Sequence, residues 1–304
     1  MEKNKMEKVI RTIRKDYLGI LFVLPVILGL AIFTFLPVCR SLIDSFHDID
    51  LWGNLSNFGL QNYKRIFTED WLKFSTAMGA TLKYTVISIP LTMVLSFSLA
   101  LLLNRETRGI KLARVLCYVP VVIPTVVNGL LWRTMTDSQT SYLNLLFTAC
   151  NLPTYSFFEE NSTALKSFIF MGCFGVGSGM ILWLSQLKNI PKTLYESADL
   201  EGANVFQKLF AITIPMCTPT IFYTLITNII GTLQIFDMAY IFWTGMNDKT
   251  LGFMVLWIHR TAFGDDPNLA YASALSWLLF LLIAALSAIV FKTSKWVYYG
   301  EDFN

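Results

Sequence analysis

The sequence predicts an all-α membrane protein that crosses the bilayer six times, with both termini on the cytoplasmic side. Three observations carry this. First, the chain of 304 residues is 54% hydrophobic and only 15% charged. Its mean hydropathy of +0.53 is too high for an ordinary soluble domain. Second, six apolar runs (18–38, 84–103, 115–132, 167–187, 212–233 and 271–291) are each 18 to 22 residues long, without Asp, Glu, Lys, Arg or His. A helix needs ~20 such residues to cross ~30 Å of hydrocarbon. Third, fifteen Lys and Arg fall in the 65 positions of 1–17, 104–114, 188–211 and 292–304, against nine in the 116 positions on the other side. The richer set is therefore cytoplasmic.

In residues 1–17, Met6, Val9, Ile10, Ile13 and Tyr17 recur at helical spacing with Lys and Arg between them. This is the pattern of an interfacial helix on the cytoplasmic face. The first apolar run is longer than the ~7–15 residues of a signal-peptide core, so it reads as a span. The outer segment 39–83 is polar but carries Trp52, Phe58, Tyr63, Phe67 and Trp71, and 133–166 is similar in kind. The last outer segment contains "TGMNDKTLG" and "FGDDPN", both rich in turn residues. Prolines 25, 90, 120, 124, 215 and 219 lie within the runs, where they can kink the axis and free carbonyls. The fourth run reads "FMGCFGVGSGMILW"; such small residues permit close helix packing or leave room for a ligand. Cys117, Cys173 and Cys217 act as small hydrophobes within spans. Cys39 and Cys150 share the outer side, where pairing is open. With no repeat and no low-complexity tract, residues 18–304 form a single six-helix domain.

The cytoplasmic loop 188–211 is the unusual element. In "NIPKTLYESADLEG", Asn189 can cap a short helix, Pro191 suits its first turn, and Gly202 suits a left-handed stop. "GANVFQKLFA" starts a second helix, with Asn204 and Gln207 at capping-box spacing. Val205, Phe206, Leu209 and Phe210 make one apolar face. A compact helix–Gly–helix of this kind can dock into a groove on a partner or lie as a solvated loop on the headgroups. Residue physics leaves the two readings even.

The loop resembles the EAA loop of bacterial ABC importer permeases. That pattern is EAA, three residues, Gly, nine residues, then Ile-x-Leu-Pro. Here it reads Glu196-Ser197-Ala198, Asp199-Leu200-Glu201, Gly202, nine residues, then Ile212-Thr213-Ile214-Pro215. Ser197 replaces an alanine, Ile214 a leucine, and Glu201 stands where Asp is usual. "LQIFDMAYIFWTG", "YASALSWLLFLLIAALSAIV" and "FVLPVILGLAIFTFLPV" resemble the first permease subunit of maltose- and glycerol-phosphate-type sugar importers. Gly245-Met246-Asn247 departs from that branch's usual Gly-Gly-Pro.

The resemblance implies a type I ABC importer permease fold in the bacterial inner (cell) membrane. It implies a coupling helix seated in a cleft of a cytoplasmic ATPase, with Glu196, Ser197, Ala198, Asp199, Glu201, Gly202 and Phe206 at the contact. Glu196 would face a basic residue there. The implied partners are a second homologous permease subunit, two ATPase subunits, an extracellular sugar-binding protein and membrane lipid, with no nucleic acid. The chain has no GxxxxGK[ST] phosphate loop, so it is a transport subunit and no enzyme. It holds no cofactor of its own; ATP and Mg belong to the partner ATPase.

Substrate contacts must come from uncharged groups in the spans. An ionic side chain at mid-membrane costs ~2.5–3.5 kcal/mol or more and marks ion or proton coupling. None is present, which disfavours a secondary transporter. The two histidines, His47 and His259, lie in different outer segments, which disfavours a membrane enzyme. Neutral polyols suit amides, hydroxyls and ring faces. Asn128, Gly175, Ser178, Asn228, Thr232, Gln234 and Phe236 are the substrate-binding candidates; for each taken singly, helix-to-helix hydrogen bonding is the ordinary role. A non-sugar small solute is the alternative cargo.

Overall fold

The structure, a computed structural model, describes residues 17–49, 55–105, 107–137 and 141–298. The interfacial helix expected over 1–17 lies outside the described residues, apart from Tyr17. Helix α1 runs from Tyr17–Leu30 through a π-helical turn, Ala31–Phe35, into Leu36–Ser45. The wide turn stands two residues ahead of Pro37. A second π turn, Leu209–Thr213, stands in the same relation to Pro215. Proline lacks the N–H and presses on the carbonyl four residues back, and a wide turn accommodates both.

The all-α expectation misses one small hairpin, β1 (His47–Ile49) paired antiparallel with β2 (Leu55–Phe58). Strands this short carry too little alternation to read from sequence. The hairpin is fastened to α2 (Gln61–Phe67) by Asn62, whose amide donates to the Ser45 and His47 carbonyls at 3.2 and 2.7 Å.

Helix α3 (Trp71–Leu103) is 33 residues long and keeps Pro90 inside it. At ~1.5 Å per residue it exceeds the hydrocarbon thickness, so it extends beyond the apolar layer. The third apolar run is not one straight span. Helices α4 (Ile110–Val122) and α5 (Thr125–Thr136) meet at 95°. Ile123 between them is extended, as the residue before a proline is driven to be. Helix α6 (Tyr142–Ala149) follows, N-capped by Ser141. The fourth run is also bent, by 45°, where a 3₁₀ turn at Cys173–Gly175 separates α7 (Asn161–Gly172) from α8 (Gly177–Asn189).

Next come α9 (Lys192–Leu200) and α10 (Val205–Lys208), the latter leading through the second π turn into Ile214–Met216. Helix α11 (Thr218–Leu233) begins six residues later than the fifth run, because Pro215 and Pro219 bracket a break at Cys217. Helices α12 (Asp237–Phe242), α13 (Asp248–Leu251) and α14 (Met254–Phe263) follow before the last long apolar helix, α15 (Leu269–Lys292). Among the described residues, four helices are long and apolar enough to cross a membrane, or up to six if each bent pair is one span.

Helix α3 is the central strut, packed against α8 and α11, while α15 packs on α11, α14 and the second half of α1. One core cluster holds Tyr84, Phe158, Phe168, Phe242 and Phe253. A second joins Ile66, Leu233, Met254 and Leu275. The third, next to the loop 188–211, joins Ala100, Met180, Trp183, Ile190 and Cys217. Trp183 donates its indole N–H to Ser96 Oγ at 3.1 Å. All five cysteines are free thiols. Asn247, in the turn-rich outer segment, is fully buried. It donates to the Phe158 and Phe242 carbonyls at 2.7 and 2.8 Å and accepts from Thr244 N at 3.1 Å.

Candidate functional site

The loop 188–211 folds as helix, left-handed glycine, helix. Helix α9 starts after Pro191, which holds the N-cap position; Asn189 ends α8 instead of capping α9. The expected Asn189 cap is thus corrected: Ile190 is extended ahead of Pro191, which breaks the helix after Asn189. Gly202 takes φ +77°. Its N–H bonds to the Asp199 carbonyl at 3.1 Å, and the Ala203 N–H reaches the Ala198 carbonyl at 2.9 Å. These two bonds form the Schellman closure that stops the helix. The capping box forms as its spacing indicates: Gln207 N–H donates to Asn204 Oδ1 at 2.9 Å, and Asn204 N–H to Gln207 Oε1 at 2.7 Å.

Side chains then tie the loop to the bundle. Lys208 pairs with Asp199 across the two arms. Tyr195 Oη and Thr213 Oγ1 lie 2.9 Å apart. Gln186, on α8, donates to the Met216 carbonyl at 2.8 Å. Sequence reasoning missed these three ties, because each joins residues far apart in the chain or of unremarkable type.

The remaining loop face is bare. Glu196, Ser197, Glu201, Gly202 and Phe206 are exposed, Ala198 is half-buried, and Asp199 is exposed although paired. Leu200 is 91% exposed, Val205 75%, Phe206 71% and Phe210 67%, while Leu209 is half-buried. The geometry is a braced knob with an apolar tip and a free carboxylate, Glu196, that has no ion pair among the described residues.

The substrate-binding candidates fall on three elements. Gly175 and Ser178 are exposed at the bend between α7 and α8. A Cβ at Gly175 would meet nothing within 4 Å, whereas one at Gly177 would lie 2.3 Å from the Cys117 carbonyl and one at Gly179 3.1 Å from Ser96. The small-residue cluster thus divides: Gly177 and Gly179 serve close packing, and Gly175 faces open space. Asn228 and Thr232 share a face of α11, one turn apart. Thr232 Oγ1 donates to the Asn228 carbonyl at 2.7 Å, so its hydroxyl is committed to its own helix. Gln234 is exposed at the α11 terminus, and Asn128 is half-buried on α5, which packs against α12. The amides of Asn128, Asn228 and Gln234 make no side-chain hydrogen bond among the described residues.

Phe236 has ring neighbours that the sequence did not reveal. His259 lies 4.8 Å and Tyr240 5.5 Å from it by ring centroids, and Phe263 lies 5.3 Å from His259. His259 Nδ1 is enclosed without a hydrogen-bond partner among the described residues. The helical spacing of Phe236 and Tyr240 was visible; their meeting with α14 was not.

An exposed, braced loop on a bundle of several apolar helices defines a multi-pass membrane protein. No family model matches the chain. It is 33% identical over 294 residues to the probable ABC transporter permease protein YesP of Bacillus subtilis, covering 95% of this chain and 94% of that one. It is 29% identical over 287 residues to the lactose transport system permease LacF of Rhizobium radiobacter, with 92% and 95% covered. It is 26% identical over 285 residues to the trehalose/maltose permease MalF of Thermococcus litoralis, with 93% and 95% covered. A chain of a bacterial alginate ABC transporter, solved with an alginate pentasaccharide-bound periplasmic protein, superposes with TM-score 0.85 at 20% identity, covering 94% and 96%. This chain belongs to the ABC transporter permeases.

Proposed function

We propose that the chain is one permease subunit of an ATP-driven importer that carries a sugar or oligosaccharide into the cell. The observation that carries this is the exposed, braced knob at 194–210 in a chain whose relatives include lactose, trehalose/maltose and arabinooligosaccharide permeases. Six spans with both termini cytoplasmic fit the charge asymmetry, each bent pair counting as one crossing. In this reading residues 18–304 are one domain in the bacterial inner membrane. A second permease, two ATPase subunits and an extracellular sugar-binding protein complete the transporter, and ATP and Mg stay on the ATPase.

Closure of the ATPase pair pushes on the apolar tip, Leu200, Val205 and Phe206, while Glu196 meets a cation in the cleft. The ties through Tyr195, Lys208 and Gln186 pass that push to α8 and α11 as a rigid displacement. Those helices carry Ser178, Asn228 and Gln234, which with Gly175, Asn128, Thr232 and Phe236 would form or shape the sugar site and would change the side on which it opens. The test is reconstitution of the purified complex in vesicles with a panel of labelled sugars. Uptake requires ATP and all partner chains. Sugar movement by this chain alone, without ATP, overturns the reading.

A further inference from the structure

On the cytoplasmic side, the turn between α3 and α4 and the end of α8 enclose a cavity of about 1080 Å³. Six cations line it: Arg105, Arg108, Lys111, Arg114, Lys188 and Lys192. Among the described residues no carboxylate lines it, and none pairs with any of the six. Glu106, the acid of this turn in the sequence, lies outside the described residues. Arg114 is fixed in place: its Nε and one Nη donate to the Leu103 carbonyl at 3.1 and 2.7 Å, closing the α3 terminus.

A basic loop is the ordinary result of membrane orientation, so the charge alone decides nothing. The second observation is what lies next to it. A separate groove of about 440 Å³ opens between α4 and α8 and shares Arg114 and Lys188 with the basic cavity. Its walls are Val115, Tyr118, Met180, Ile181 and Leu184, with Ser185 beside Lys188 at the end. Both helices continue from here toward the apolar interior of the bundle. A cationic chamber joined through two of its own cations to an apolar slot matches a molecule with an anionic head and a hydrocarbon tail. A free phosphate would leave the slot unused, and an acidic protein surface would have no tail to place there.

We propose that this paired cavity binds an anionic phospholipid of the cytoplasmic leaflet, the phosphodiester among the six cations and an acyl chain between α4 and α8. The proposal rests on the cytoplasmic orientation given above. Lys192 and Tyr195 of the coupling helix line the same chamber, so an occupant would steady the base of the knob.

The test uses the complete transporter in nanodiscs of mixed phosphatidylglycerol and phosphatidylcholine, with retained lipid read by native mass spectrometry. The wild type is expected to retain phosphatidylglycerol preferentially. Arg108→Gln with Lys111→Gln should lower that preference by about fivefold per cation removed. Ile181→Trp, which fills the slot and leaves the charges alone, should also reduce phosphatidylglycerol retention. Equal retention of the two lipids by the wild type overturns the proposal. So does unchanged retention in Ile181→Trp together with displacement of lipid by added inorganic phosphate, which would mark a simple anion site. Loss of ATPase chains from the Arg108 and Lys111 variant, with lipid unchanged, would assign the chamber to the ATPase. Orientation is checked separately by thiol labelling of Arg108→Cys from each side of the membrane, in a background with Cys39 and Cys150 replaced by Ser. Labelling from outside would remove the orientation itself.

Discussion

Gly202 offers the sharpest separation of backbone conformation from contact. A Cβ built there meets nothing within 4 Å, so no substitution clashes, yet its φ of +77° is one that side chains resist. Gly202→Val has two routes. It can keep the left-handed conformation at ~1–2 kcal/mol, more for a β-branched residue. Or it can leave that conformation and forfeit the two Schellman bonds, Gly202 N to Asp199 O and Ala203 N to Ala198 O, each worth ~0.5–1.5 kcal/mol net. Either route costs roughly 1–3 kcal/mol. That corresponds to about a 5- to 150-fold weaker population of the docking geometry. Gly202→Asn should lie nearest the wild type, because Asn tolerates this region, and Gly202→Ala between the two. The assay is ATPase co-purification and sugar-stimulated ATP hydrolysis for the three variants, with membrane insertion as control. If the Val variant matches the Asn variant in coupling, the left-handed turn is not what positions the knob.

Glu196→Lys should weaken ATPase association or uncouple hydrolysis from transport, because breaking a pair buried in the docked cleft costs ~3–5 kcal/mol. The same reversal at Glu159 or Glu160 should not, and equal behaviour of the three would refute the role of Glu196. Asn247→Ala leaves the buried Phe158 and Phe242 carbonyls without their donor; thermal unfolding in detergent should show a loss of roughly 1–3 kcal/mol per orphaned group. Asp70 is held below the ordinary carboxylate value. Burial raises it, but hydrogen bonds from Lys73 and Tyr271 and the charges of Lys73 and Arg65 together lower it further. Its stabilisation is therefore complete above the unfolded value of ~3.9 and is lost as pH falls through the lower folded value. Asp70→Asn should be less stable than wild type at pH 7, and the gap should close on acidification below that range; a gap independent of pH would refute the assignment.

Where the sequence was legible, the signal was local. Asn204 and Gln207 sit three apart and form their box; Gly202 follows an amphipathic stretch and turns left-handed. The six apolar runs each correspond to helix, because a length of about 20 uncharged residues has few other uses. What failed was continuity. Pro124 bends the third run by 95° and Pro90 does not break α3, although both are prolines within apolar runs. At Pro124 the preceding Ile123 turns extended, while the turns around Pro90 are packed on neighbouring helices and hold. Composition cannot rank the two, since the difference lies in what surrounds each proline. The same limit hid the neighbours of Phe236. His259 and Phe263 come from an outer helix, and no spacing along the chain brings them to α12.

The loop's two halves also differ in what they do with their free energy. One side is braced: Lys208 pairs with Asp199 within the loop, Tyr195 lies within hydrogen-bond distance of Thr213, and Gln186 bonds the Met216 carbonyl just beyond it. Its outer face leaves Leu200, Val205, Phe206 and Phe210 uncovered on the side of the membrane where water, not lipid, is the default solvent. A cluster of exposed apolar side chains on a rigid support is what a permanent or recurring partner covers. Had the ties been weak, docking would have to order the loop and part of the binding free energy would be lost to that ordering. With the ties in place, the exposed tip is already ordered before any partner covers it.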